Sequence, residues 1–256
     1  MNAPNSSHRK LDIDGTYNVR DLGGYKTLDN RVTRWGLLFR ADKLTRVTED
    51  GHNELQKRGI QTIIDLRYTP EVENEPNVYC KSREIRYLRL PLYELSGESA
   101  LPRVPDDLAD LYQMILDYRQ QRIAEIIGVL MVENNQPAIF HCTAGKDRTG
   151  IIAALLLGAA GVSDADIVND YALSAQYLHI LFDELRMQAR HNGYDSDWYN
   201  RLLICEPATM ATTLNHIQRC YGGIVTYMLR AGISETQIVN FTRDFVTPQH
   251  VDRSEL

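Results

Sequence analysis

The sequence predicts an α/β fold: a mostly parallel central sheet flanked by helices, continuing into a largely helical C-terminal part. Three observations carry this. Strand-like and helical segments alternate up to residue 160, and such alternation argues for a parallel sheet between helical layers. Residues 138–141 are short, apolar and β-compatible, while 150–160 (GIIAALLLGAA) are apolar on every face, as in a helix surrounded by protein. From residue 163 onward the pattern is mostly helical.

Taken in order, residues 1–10 are polar and expected to be disordered. One domain is expected over 11–256, with an α/β core over 11–162 and a helical part of the same domain over 163–256. Arg20 and Asp21 precede Gly23-Gly24, a tight turn. That turn is either salt-bridged and structural, or it brings Arg20 near an anion site. Residues 31–40, 61–66 and 84–90 read as strands, and 47–58 as a helix stopping at Gly59. Residues 91–107 (PLYELSGESALPRVPDD) read as a loop, either a lid or a plain surface connection. A helix at about 107–133 follows. Ser163-Asp164-Ala165-Asp166 and Ser234-Glu235-Thr236-Gln237 look like helix starts. The aromatics Tyr171, Tyr177, Phe182, Trp198 and Tyr199 read chiefly as packing, with Tyr177, Trp198 or Tyr199 as alternative lining of a ligand pocket.

Composition narrows the function. The chain has 256 residues, 43% of them hydrophobic, enough for one sizeable core. A formal net charge of −6 argues against broad attraction to nucleic acid or anionic membranes, so any anion binding must be local. Cys80, Cys142, Cys205 and Cys220 show no CxxC spacing, which suggests a reducing compartment and no disulfide framework. The opening MNAPNSSHRKLDIDG lacks an apolar run, so no secretory signal is expected. The apolar run at 150–160 falls short of the roughly 20 residues a bilayer span needs. A cytoplasmic location without stable membrane insertion is the default expectation, export without a signal staying open. His179, His191 and His216 have no metal-ligand spacing, and no cofactor is expected.

The chemistry concentrates in His141-Cys142-Thr143-Ala144-Gly145-Lys146-Asp147-Arg148-Thr149-Gly150, an HCxxGxxRTG run between the strand and the helix. Free N–H groups and the helix dipole favour an anion there. A loop with Gly145 inside can curl its N–H groups of Thr143, Ala144, Gly145 and Lys146 inward as a nest. Arg148 adds a planar fork matching two phosphate oxygens. Helix termini and nearby cations bring cysteine thiols from about 8.5 down to about 3.5–7.5, so the field that holds phosphate also favours a thiolate at its base. Thr149 is expected to donate its hydroxyl to that sulfur, and His141 to fix the loop through its ring nitrogens. Asp147 is the candidate general acid within the loop. The whole is suited to attack on a phosphoryl group by Cys142 while its oxygens are held.

The match extends beyond the loop. Asn18-Val19-Arg20-Asp21-Leu22-Gly23-Gly24-Tyr25, Gly36-Leu37-Leu38-Phe39-Arg40-Ala41-Asp42 and Gln61-Thr62-Ile63-Ile64-Asp65-Leu66-Arg67 precede it. Ile167-Val168-Asn169-Asp170-Tyr171 and Arg219-Cys220-Tyr221-Gly222-Gly223 follow. In this order, over roughly residues 11–247, they resemble the mainly bacterial and fungal tyrosine phosphatase family that carries an HCxAGKDRTG loop. It belongs to the cysteine-dependent protein tyrosine phosphatase superfamily. The resemblance implies that superfamily's fold and a metal-independent hydrolysis of phosphotyrosine. Some members also take phosphoserine, phosphothreonine or phosphoinositides. It implies Cys142 as nucleophile, Arg148 as phosphate binder, Asp147 as general acid, and Asp65 as a secondary residue approaching the loop. Lys146 matches a lysine associated with inositol lipids. Phe39-Arg40-Ala41-Asp42 departs from the family's FRSD, with Arg40 and Asp42 as expected parts of the site wall. The expected partner is a phosphorylated protein or a phosphoinositide. The alternatives are a phosphoinositide phosphatase using the same site, or a non-catalytic phosphate-binding module.

Overall fold

The computed structural model describes residues 6–182, 186–187, 190 and 205–248. A five-stranded sheet has the order β1-β3-β6-β4-β5. Its strands are β1 (Arg20–Asp21), β3 (Leu38–Ala41), β4 (Thr62–Asp65), β5 (Arg86–Arg89) and β6 (Ala138–His141). β3, β6, β4 and β5 run parallel, and β1 joins β3 antiparallel. β3, β4 and β6 are buried along their whole length, as parallel strands covered on both faces must be. Their side chains alternate between two cores, as a period of two dictates. Leu38, Ile64 and Phe140 enter one, and Phe39, Ile63 and Ile139 the other.

The register places the site. Ala41 and Asp65 lie opposite His141 on either side. The chain leaving β6 therefore emerges at the middle of the sheet's carboxyl edge, between the ends of β3 and β4. Ligands of open α/β sheets bind at such an edge.

The helices are α1 (Ser6–Arg9), α2 (Glu49–Lys57), α3 (Thr69–Asn74), α4 (Leu108–Tyr118), α5 (Gln120–Leu130), α6 (Asp147–Ala159) and α7 (Asp164–Leu178). Among the later described residues come α8 (Pro207–Tyr221), α9 (Ile224–Ala231) and α10 (Glu235–Phe245). α6 is buried on nearly all sides because α5, α7 and α9 surround it while the sheet covers the rest. Its core cluster also holds Met210, Leu214, Tyr227 and Phe241 from the helical part. The predicted helix starts hold. Thr48 caps α2, Ser163 caps α7, and Ser234 with Gln237 forms a capping box on α10.

The structure adds detail to the expected outline at three places. The helix expected at about 107–133 is two, α4 and α5, broken at Arg119 (φ −120°, ψ 25°). Both halves bury an apolar face, Tyr112, Ile115 and Leu116 in one and Ile123, Ile127 and Leu130 in the other. The apolar pattern therefore carries no mark of the break. A second sheet pairs β2 (Arg31–Thr33) with β7 (Val246–Pro248), a strand inside the part read as helical. Within the segment expected to be disordered, α1 spans Ser6–Arg9. Arg9 is buried, donates from Nε to Gly23 O at 3.0 Å and from Nη2 to Gly24 O at 2.9 Å, and stacks 3.8 Å over the Tyr25 ring. Its apolar stem and planar head let a charged residue anchor a polar segment. Residues 1–5 lie outside the described residues.

Candidate active site

Cys142 is the first residue after β6, 1% exposed, at the base of the loop. Gly145 turns with φ +66°, and a Cβ there would meet Ala41 O at 2.4 Å. Left-handed backbone and close approach both require glycine. α6 begins at Asp147, so Asp147, Arg148 and Thr149 belong to its first turn and the irregular stretch is only 142–146. The free N–H groups of that turn and the helix dipole make the start of α6, next to Cys142, favourable for an anion.

Arg148 is held by a residue the sequence reasoning missed. Its Nη1 and Nη2 donate to Glu71 Oε2 and Oε1 at 2.5 and 2.7 Å. Thr143 Oγ1 donates to the same carboxylate. Burial opposes both charges, yet each sustains the other. Arg148 holds the Glu71 carboxyl below its ordinary range, and Glu71 raises the guanidinium well above its own. Glu71 lies in the first turn of α3, just past the end of β4. The signal that could have found it was strand order: whatever follows β4 must face whatever follows β6. Two tyrosines flank the same guanidinium, Tyr68 with its ring centroid 5.1 Å from Arg148 Cζ and Tyr93 at 5.9 Å. Tyr93 comes from the 91–107 segment, whose Glu94 accepts Thr69 N at 2.9 Å and Arg89 Nη2 at 2.8 Å. That connection thus supplies a wall of the site.

Asp147 Oδ1 accepts a hydrogen bond from Tyr112 Oη and stands 3.3 Å from Lys146 Nζ. Tyr112 Oη lies 3.0 Å from Tyr171 Oη. Burial, and then the Asp147 charge, push the Tyr112 phenol well above its ordinary range, so it remains a donor. Lys146 is 3% exposed, so its amine is turned toward Asp147 within the protein.

The remaining predicted residues divide. His141 is fully buried, its Nδ1 3.0 Å from Cys142 O and its Nε2 2.9 Å from Asn77 Nδ2. Burial lowers its pKa, and the neutral ring with hydrogen on Nδ1 satisfies both contacts, Nδ1 toward Cys142 O and Nε2 toward Asn77. Asp65 lies across the register from His141, the residue before Cys142. It binds the Arg67 guanidinium, with Oδ2 to Nη2 at 2.7 Å, accepts Tyr87 Oη at 2.9 Å, and lies 3.6 Å from His141 Nε2. Burial opposes its charge, but the hydrogen bonds and charge of Arg67 outweigh burial and keep it ionised. Arg20 sits beneath the loop in an ion pair with Asp170 at 2.9 Å, the structural reading of its turn. Arg40 and Asp42, expected in the site wall, are 1% and 2% exposed and lie under it. Thr149 is fully buried and its Oγ1 has no hydrogen-bond partner. The expected bond to the Cys142 sulfur is therefore not made in this structure. Thr143, Ala144 and Gly145 lie in the stretch between β6 and α6. Tyr177 instead lies 5.9 Å from Arg20 and 5.6 Å from Lys10 Nζ, while Trp198, Tyr199 and His191 fall outside the described residues. Among the described residues no cluster of His, Cys, Asp and Glu has metal-holding geometry.

A model of the tyrosine phosphatase family matches residues 11–247. The chain belongs to the tyrosine phosphatase family. A tyrosine-protein phosphatase of Nostoc commune is 30% identical over 210 residues, covering 78% of this chain and 70% of its own. The triple specificity protein phosphatase PtpB of Mycobacterium tuberculosis is 25% identical over 272 residues, covering 89% of this chain and 95% of its own. The crystal structure of TpbA from P. aeruginosa overlaps with a TM-score of 0.32 at 15% identity, over 75% of this chain and 99% of that one, too little to speak for function. This phosphatase is thus an enzyme acting on phosphorylated substrates, with a mostly parallel sheet flanked by helices. None of its described helices is long and apolar enough to cross a membrane.

Proposed function

We propose that this phosphatase hydrolyses phosphotyrosine through a phosphocysteine on Cys142. The observation that carries the reading is the seating of Cys142 at the base of a turn closed by Arg148, with Tyr68 and Tyr93 flanking the guanidinium. Aromatic walls beside the phosphate site favour an aryl phosphate over a slender alkyl one. The Cys142 thiolate attacks phosphorus in line, and the bond from phosphorus to the phenolic oxygen breaks. Glu71 engages one N–H of each Nη and Thr143 Oγ1 also faces Nη2, which leaves Nε–H and the second Nη1 hydrogen of Arg148 for the equatorial oxygens. Asp147 delivers its proton from Oδ2 to the departing phenolate, Oδ1 being engaged by Tyr112. Water then attacks phosphorus, its proton passes to Asp147, and the phosphorus–sulfur bond breaks to give phosphate and the thiolate. Splitting one displacement into two lowers each barrier. The cytoplasm, where Cys142 stays reduced, is the proposed place of action, and a phosphorylated protein the proposed partner.

Phosphate release from a phosphotyrosine peptide, a phosphothreonine peptide and short-chain phosphoinositides, with chelator and reductant present, tests this. C142S should abolish turnover while keeping oxyanion binding, and R148A should lose both. Phosphotyrosine is expected to show the highest kcat/KM. Wild-type turnover in C142S would sink the mechanism, and a lead for the phosphoinositides would transfer the same site to lipids.

A further inference from the structure

Beneath the loop lies a buried charge cluster that the chemistry above does not use. Asp170, on α7, is 2% exposed. Its Oδ1 accepts Arg20 Nε at 2.9 Å and Tyr25 Oη at 2.9 Å, and its Oδ2 accepts Arg40 Nη1 at 2.5 Å. Arg20 also donates from Nη2 to Asp170 O at 2.8 Å and to Ser174 Oγ at 3.1 Å, and from Nη1 to Asn18 Oδ1. Two arms then reach the loop. Asn18 Nδ2 donates to Ala144 O at 2.9 Å. Arg40 Nη2 donates to Gly145 O at 2.7 Å and Lys146 O at 3.3 Å. Three consecutive loop carbonyls are gripped by two side chains, both traced to one carboxylate.

A trans peptide unit is planar, so the carbonyl of one residue and the N–H of the next point in opposite directions. Pulling the Ala144, Gly145 and Lys146 carbonyls toward Asn18 and Arg40 turns the N–H groups of Gly145, Lys146 and Asp147 to the opposite side. That is the orientation an anion nest requires. Gly145, seated against Ala41 O, allows the loop to lie this close. A buried ion pair is weak evidence for stability, so orientation accounts better for this cluster than energy does.

We propose that Asp170 is a positioning residue: through Arg40, and through Arg20 and Asn18, it sets the loop peptides to receive the phosphoryl oxygens, touching neither substrate nor reacting atoms. This rests on reading the loop as the phosphate cradle. D170N keeps the shape but presents an amide N–H to one of the two guanidiniums, so only one arm stays anchored. N18A removes the other arm's grip on Ala144 while leaving the ion pairs.

The test measures kcat/KM and competitive inhibition by tungstate in wild type, D170N and N18A, with folding followed by circular dichroism and active sites titrated. D170N should lose on the order of 100-fold in kcat/KM, with tungstate affinity per active site falling beside it. N18A should lose on the order of tenfold in both. A purely structural role would lower only the active fraction and leave tungstate affinity per active site unchanged, which overturns the proposal. If D170N does not fold, N18A decides by the same criterion. A wild type whose turnover is independent of Cys142 would instead sink the phosphatase reading itself.

Discussion

At Arg148 two requirements meet. The guanidinium must be aimed, and its charge must remain available to an anion. Glu71 satisfies the first at some expense to the second, because a carboxylate stands where a dianion will approach. Aim matters mostly in the transition state, whereas charge acts on ground-state binding too. E71Q should therefore lower kcat by on the order of tenfold without raising KM. Steady-state kinetics with a phosphotyrosine peptide checks this, and an unchanged kcat would remove Glu71 from the mechanism. Cys142, Asp147 and Arg148 were legible because their chemistry is contiguous in the chain. Glu71, Tyr68 and Tyr93 were not, since they reach Arg148 only through strand order and the return of the 91–107 segment.

The strand–loop–helix element has its own constraint at Gly145. An alanine there must adopt φ +66° and place its Cβ 2.4 Å from Ala41 O. G145A should cost on the order of 1–3 kcal/mol of stability and lower kcat/KM by about 100-fold as the loop is pushed off β3. Urea unfolding and kinetics on one preparation measure both. Retained activity would show that β3 does not seat the loop. At this scale the sequence read well where a pattern has a sharp boundary: β6 over 138–141, α2 ending before Gly59, and α10 behind its capping box. It read poorly at Arg119, where the apolar pattern runs on across the break.

Across the whole molecule, the carboxylates under the active site divide into two kinds. Asp170 is held low against burial by Arg20 and Arg40. Its contribution is fully present above the ordinary carboxylate range and is lost as pH falls below that range toward the depressed folded value. Asp42 behaves oppositely. Burial raises it from 3.8 to about 6 against the N–H groups of Asn18 and Tyr17. The folded chain therefore binds this proton more tightly than the unfolded one, and stability from Asp42 declines as pH rises from about 4 to 6. The span corresponds to about 3 kcal/mol. D42N, which keeps an acceptor for the two N–H groups and carries no charge, should gain in Tm relative to wild type as pH rises from 4.5 to 7.5. Melting curves across that range check it, and a pH-independent difference would show that Asp42 does not titrate there.

The sequence by itself determined the chemistry and the class of fold. A cysteine, an aspartate and an arginine within seven residues, framed by a strand and an apolar helix, leave little freedom, because local backbone geometry alone brings them together. Asn18, Arg40 and Asp170 lie in segments that could be recognised, but nothing in their spacing says that they meet beneath Ala144, Gly145 and Lys146. That was decided by the order of the strands and the packing of α7 against α6. Side chains far apart in the chain can satisfy one another, and the loop above them, only once burial has removed the water that would otherwise do so.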